Sequence, residues 1–159
     1  MNENELNVKL KSYINKALME LQNGNSTLAL NYLKKILEFK NNNSKILSLV
    51  SLCYLNLKNF VEAEKFISMA IKNEPGEQGY YINKGNILKE QKKYSEAKLI
   101  YEKAINLFGK SSVLSYSLGS IFSSQNLFAK SLPHYNESIS LDKKNKYALN
   151  NKGVALKEL

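Results

Sequence analysis

The sequence predicts an all-α solenoid of stacked helix-turn-helix repeats, and three observations carry that prediction. An aromatic, a small and a large apolar residue recur as a motif at a fixed 34-residue interval: Phe60, Ala63, Ile67; Tyr94, Ala97, Tyr101; and Phe128, Ser131, Tyr135. Gly85, Gly119 and Gly153 also stand 34 apart, with Ser51 one period earlier. Between these markers apolar residues fall three or four apart, as on one face of a helix, and no sustained period-two alternation marks a strand.

The interval divides the chain into a leader, residues 1–9, a divergent first repeat, 10–43, then 44–77, 78–111 and 112–145, and a partial fifth unit, 146–159. In the first repeat, Asn23-Gly24-Asn25 lies between two helical patterns and marks their turn, with Asn25 placed to cap the second helix. In the next, Asn59 takes the same cap position with Glu62 three residues on, and Pro75-Gly76 stops the helix. In 78–111, Tyr81, Lys84, Gly85 and Leu88 form a first helix. Gln91-Lys92-Lys93 breaks it, and Tyr94, Ala97, Tyr101, Ala104 and Ile105 form a second. In 112–145, Pro133 falls in the first turns of the second helix, where it removes at most one hydrogen bond. Residues 146–159 supply a single helix through Leu149, Gly153 and Leu156. It either caps the array or is cut from a longer chain, and its apolar inner positions favour the second reading.

Glycine inside a helix costs about 1 kcal/mol relative to alanine. Its recurrence at one phase therefore implies close approach of first and second helices at Gly85, Gly119 and Gly153. One helix pair cannot bury both faces, so neighbouring pairs share a continuous core.

A 34-residue helix-turn-helix with Gly at position 8, an aromatic at 17, Ala at 20 and 27 and Pro at 32 resembles the tetratricopeptide repeat. Tyr81, Gly85, Leu88, Tyr94, Ala97, Tyr101 and Ala104 carry the resemblance best. Leu47, Val50, Tyr54, Phe60, Ala63, Ala70 and Pro75 carry it one period earlier. The first repeat departs from it at Lys16 and Glu20, where apolar residues are usual. The resemblance implies a right-handed solenoid, no enzymatic activity, and a concave surface lined by first helices that binds a peptide or helix of a partner protein.

Mapped onto this chain, the implied groove has an apolar half, with Ile14, Leu18, Leu21, Leu49, Leu52 and Leu55, and Ile82 at the join. Its other half is polar: Asn83, Asn86, Tyr116, Ser117, Ser120, Asn150 and Asn151. Asn15, Asn83 and Asn151 share position 6, a ladder that could hold a peptide backbone, although Asn is abundant throughout, at 21 residues. The basic clamp by which some family members grip a C-terminal carboxylate is missing, because Ile82 and Ser117 stand where it needs a basic residue and Asn.

The net charge of +9 comes from 23 Lys and no Arg against 14 acidic residues. Lys binds phosphate as a point charge, whereas bidentate recognition of phosphate or guanine needs Arg. With Asn equally enriched, the balance points to an AT-rich genome more than to nucleic acid. The alternative function is a nucleic-acid or anionic-surface binder working through the lysines that peak in 78–111: Lys84, Lys89, Lys92, Lys93, Lys98, Lys103 and Lys110. A regulatory piece of a larger protein is a third reading.

No catalytic or metal-binding constellation stands out. His134 is the only histidine and is expected on an outer helix surface, and Cys53, the only cysteine, as a small buried apolar residue. No cofactor is expected. One cysteine and a polar, acidic start at Met1-Asn2-Glu3-Asn4-Glu5 fit the cytoplasm, and no apolar run is long enough to span a membrane. Self-association, with Leu6, Val8 and Leu10 of the leader in a neighbouring groove, is a variant of the partner-binding reading.

Overall fold

The computed structural model describes residues 2–39 and 42–159. Among them are nine α-helices and no strand: α1 (Glu3–Gln22), α2 (Ser26–Leu37), α3 (Ser44–Asn56), α4 (Phe60–Asn73), α5 (Gln78–Glu90), α6 (Tyr94–Phe108), α7 (Ser112–Ser124), α8 (Phe128–Leu141) and α9 (Lys146–Lys157). The first helices α3, α5, α7 and α9 begin 34 residues apart, and so do the second helices α2, α4, α6 and α8. The fold is that of an all-α, helix-turn-helix solenoid. No described helix is long and apolar enough to cross a membrane.

The caps follow the same period. Asn43, Ser111 and Asn145 each accept the backbone N–H three residues on, satisfying one of the free donors of the first turn. Asn59 does the same for α4, accepting from Glu62 N–H at 3.2 Å. Asn25 occupies the cap position of α2 but makes no cap bond. Its amide NH2 instead donates to the Glu20 carboxylate at 2.8 Å, a charge-assisted bond that holds the side chain toward α1. Residues 3–9 belong to α1, whose start is fixed by a reciprocal box between Asn2 and Glu5.

Each turn from a first to a second helix closes in one way. Gly24, Lys58, Lys92 and Asn126, again 34 apart, adopt left-handed φ of 79°, 59°, 61° and 59°. Each donates its N–H to the carbonyl three residues back, and the next residue donates to the carbonyl five back, which terminates the helix. Gly and Asn enter this region readily, but lysine is strained there. Lys92→Gly is therefore expected to raise stability by about 0.5–1 kcal/mol in thermal unfolding, and a loss of stability would speak against the left-handed turn.

The helices form two compact units, one ending at Asn83 and the other Lys84–Leu159, with the division inside α5. In the first, α1 packs on α2, α2 on α3 and α3 on α4. Leu10, Ala17, Leu30, Leu33, Ile36, Ile46, Val50 and Cys53 are buried in its core, with Leu6, Tyr13, Tyr54 and Phe66 packed around them. Leu6 and Leu10 thus serve their own unit, while Val8 is exposed. Burial pushes the Cys53 thiol up to about 11, which leaves it protonated and unreactive at neutral pH. Ser51, at the glycine phase, is accommodated by donating its hydroxyl to the Ala63 carbonyl of α4 at 2.7 Å.

In the second unit the glycines do what their phase implies at two positions. A Cβ on Gly85 would lie 2.2 Å from the Tyr101 ring, and one on Gly119 would lie 2.7 Å from Tyr135. Both rings are fully buried. Gly153 differs from the expectation: among the described residues nothing lies within 4 Å of a Cβ there. His134 is likewise not confined to an outer surface. It stacks on Phe122 with ring centroids 5.3 Å apart and touches the Gly119 position, since residue 134 neighbours Tyr135 on the α7-facing side of α8. Pro133 sits inside α8, which runs through it unbroken.

Candidate functional site

The first-helix face of the N-terminal unit is apolar, and its residues divide by depth. Leu18 and Leu52 are exposed, at 40% and 36%, whereas Ile14, Leu21, Leu49 and Leu55 are half-buried. Ile14, Leu21 and Leu49 pack against the unit's core, so only part of each is left to meet a partner. Ile82 is half-buried on α5. Beside it, the Asn83 amide donates to the Ser48 hydroxyl at 3.1 Å and ties α5 to α3. Asn15 is exposed.

The second unit holds a more enclosed and more polar site. An open cavity of about 320 Å³ is lined by Lys89 from the end of α5, by Tyr116, Ser120, Ser123 and Ser124 of α7, by Phe128 and Tyr135 of α8, and by Asn151 and Val154 of α9. The Asn151 amide donates to the Tyr116 hydroxyl at 3.2 Å, linking α9 to α7. Tyr116 packs between Tyr135 and Tyr147, at 6.0 and 6.2 Å between centroids, and burial raises its hydroxyl pKa. The Tyr135 hydroxyl donates to Ser123 at 2.9 Å. Asn86 is held by the Tyr101 hydroxyl, which donates to it at 2.7 Å.

Lys89 is the charged member of this set. Its ammonium reaches the Ser120 hydroxyl at 3.4 Å, and Ser120 donates onward to the Ser117 carbonyl at 2.8 Å. Burial, the main cause, lowers the Lys89 pKa, and the negative charge of neighbouring Glu90 offsets part of that effect. Such a cation gains from an approaching anion. Sequence reasoning grouped Lys89 with the surface lysines of 78–111, although its register, position 12 of a first helix, was signal enough to place it in the site.

Of the expected site residues, Tyr116, Ser120 and Asn151 line the cavity together. Ser117 is buried behind them at 3% exposure and contributes its carbonyl, while Asn150 points to solvent. Asn83 and Asn151 of the proposed ladder each bond to a side chain 35 residues earlier, so both are helix-to-helix ties in this structure.

Other lysines of 78–111 are engaged locally. Lys98 pairs with Glu102 at 3.6 Å, and Lys110 is hydrogen-bonded to Glu137, which also accepts from Ser115. The Lys110 bond holds the Glu137 carboxyl below the usual carboxylate range. Stability from that contact is present at neutral pH and is lost as pH falls through the lowered value. Among the described residues no cluster of His, Cys, Asp or Glu could hold a metal ion.

The tetratricopeptide-repeat family model matches residues 10–43 and 79–110. The first of these is the stretch expected to diverge, so Lys16 and Glu20 do not remove it from the family pattern. No curated protein matches the sequence. Solved structures share the fold. A thermophilic tetratricopeptide-repeat protein of Thermus thermophilus superposes with TM-score 0.79 at 15% identity, over 88% of this chain and 77% of its own. PilF of Pseudomonas aeruginosa gives 0.79 at 21%, over 96% and 69%. MamA of Desulfovibrio magneticus RS-1, from residue 41 to its end, gives 0.70 at 21%, over 94% and 90%. Proteins of this repeat class generally work by contacting other proteins. Tetratricopeptide repeats therefore stand in this chain at residues 10–43 and 79–110, on a fold it shares with tetratricopeptide-repeat proteins.

Proposed function

We propose that the chain is a non-enzymatic interaction scaffold whose first helices bind an extended segment of a partner protein. The observation that carries this reading is the cavity around Lys89. A desolvated ammonium, the hydroxyls of Ser120 and Ser123 and the amide of Asn151 converge there, beside the aromatic surface of Tyr116. Such polar groups, set beside the rings of Tyr116, Phe128 and Tyr135, can fix the orientation of a bound peptide. The preferred partner segment carries an acidic side chain for Lys89. On the N-terminal unit, Leu18 and Leu52 offer exposed apolar area for a separate anchor. The lone buried thiol suits reducing surroundings, and the cytoplasm is the proposed location.

The test begins with peptides selected from a displayed random library against the whole chain. Their affinities are then measured by calorimetry for wild type, Leu52→Glu, Asn83→Ala and Lys89→Glu. Truncating or reversing one partner of a desolvated charge contact costs about 2–5 kcal/mol, so Lys89→Glu should weaken acidic peptides by at least 30-fold. Unchanged affinity for all three variants sinks the first-helix reading. Nucleic-acid binding through the lysines predicts instead an affinity for single strands that falls steeply with salt.

A further inference from the structure

Hydrogen bonding within the Lys89 cavity is one-sided. The Tyr116 hydroxyl accepts from the Asn151 amide at 3.2 Å, and the Ser123 hydroxyl accepts from Tyr135 at 2.9 Å. A hydroxyl that accepts in this way keeps its own proton free to donate. Tyr116 and Ser123 are thus tied down through their oxygens and retain their protons for the cavity that both line. The Asn151 carbonyl is itself occupied, accepting from the Asn150 amide at 3.4 Å. Lys89 directs one N–H to Ser120 at 3.4 Å and has the others left. At the exposed rim, the Ser124 hydroxyl and the Asn126 amide add further donors. No Asp or Glu is among the residues lining the space.

A carboxylate and a phosphate monoester both complement Lys89, but they differ in shape and charge. A carboxylate presents two oxygens in one plane. A phosphate monoester presents three terminal oxygens around a tetrahedral centre and carries about 1.5 to 2 negative charges at neutral pH. The donors here come from several directions: Lys89 from α5, Tyr116, Ser123 and Ser124 from α7, and Asn126 from the turn after it. One ammonium does not neutralise a dianion alone, and uncommitted hydroxyl and amide donors disperse the remainder. Lysine meets phosphate as a point charge, without the fork of arginine, which this chain lacks. A volume of about 320 Å³ accommodates a phosphorylated side chain, and the open side leaves its backbone along the first helices. We propose that the Lys89 cavity binds a phosphate monoester carried on a serine or threonine of the partner segment. The inference rests on the reading of this cavity as a peptide site, and it makes recognition conditional on phosphorylation of the partner.

The probes are three fluorescent peptide sets with identical randomised flanks, fixed at the centre as phosphoserine, glutamate or serine. They are titrated into the full chain at constant ionic strength and read by anisotropy. The phosphoserine set is expected to bind about tenfold more tightly than the glutamate set, the effect of one further hydrogen bond to a charged group. Tyr116→Phe and Ser123→Ala each remove one donor proton and should narrow that ratio. Lys89→Met should bring both anionic sets down to the serine set, with helix content by circular dichroism unchanged. Lys144→Met removes an exposed charge outside the cavity and should leave all three within twofold. Glutamate binding as tightly as phosphoserine, both through Lys89, overturns the phosphate assignment and leaves the acidic-peptide reading standing. Sets that bind wild type and Lys89→Met alike overturn both. Inorganic phosphate separates the two sources of the anion: it should not displace the phosphoserine set at equal concentration. Displacement there assigns the cavity to a free anion and overturns the peptide-borne form.

Discussion

Tyr101→Ala is expected to lower the free energy of unfolding by about 3–5 kcal/mol, the range for deleting a fully buried aromatic ring. The ring is 0% exposed, fills the space that Gly85 leaves open, and donates its hydroxyl to Asn86 at 2.7 Å. Truncation removes the packing and leaves Asn86 without that donor. Tyr101→Phe separates the two effects. It keeps the ring and loses only the hydrogen bond, a loss of about 1 kcal/mol. Urea unfolding followed by circular dichroism measures both, and a cost near 1 kcal/mol for Tyr101→Ala would mean that the ring is not wedged between α5 and α6.

Gly85→Ala should destabilise by about 2 kcal/mol, the opposite of what helix propensity alone dictates. Alanine gains about 1 kcal/mol over glycine inside a helix, whereas overpacking a closed core costs about 1–3 kcal/mol and occasionally more. The clash decides the sign here. The added carbon would stand 2.2, 2.6 and 2.7 Å from three atoms of a ring anchored at its far end, and that ring has no room to turn. At Gly119 the nearest ring atoms are 2.7 and 2.8 Å away, so the cost is smaller. At Gly153 nothing is near, and alanine should stabilise by up to about 1 kcal/mol. The order of the three substitutions, with a change of sign at the last, tests the repeat packing more sharply than any single value. Gly85→Ala and Tyr101→Ala should also be non-additive, since truncating Tyr101 removes the ring that the added carbon would meet.

The fold was legible because its signals repeat. A fixed interval between small and large residues reports helix contacts directly, and Asn59, Pro75 and Gly76 punctuate the helices by local chemistry that needs no tertiary context. The left-handed turns were half legible. Gly24 lies in the turn read from Asn23-Gly24-Asn25, whereas Lys58 and Lys92 take the same conformation although lysine does not favour it. Asn25 shows the converse, a good cap residue drawn to a nearby carboxylate. The site was less legible still. Register placed Tyr116, Ser120 and Asn151 on one face, yet composition made Lys89 look like one solvated lysine among many. Its value depends on burial, which a sequence does not display. The asparagines at position 6 carried two readings, and the bonds of Asn83 and Asn151 to the preceding first helix account for both residues without a ligand. Gly153 shares its phase with Gly85 and Gly119, yet no described atom lies within 4 Å of a Cβ there, so phase alone does not report a contact.

Hydrogen–deuterium exchange of the whole chain, with and without a selected acidic peptide, tests most directly whether first helices form the partner-binding surface. Protection is expected in α7, in α9 and in the part of α5 that carries Lys89, and it should vanish in Lys89→Glu. Protection confined to the second helices α2, α4, α6 and α8, or unchanged in that variant, would contradict it.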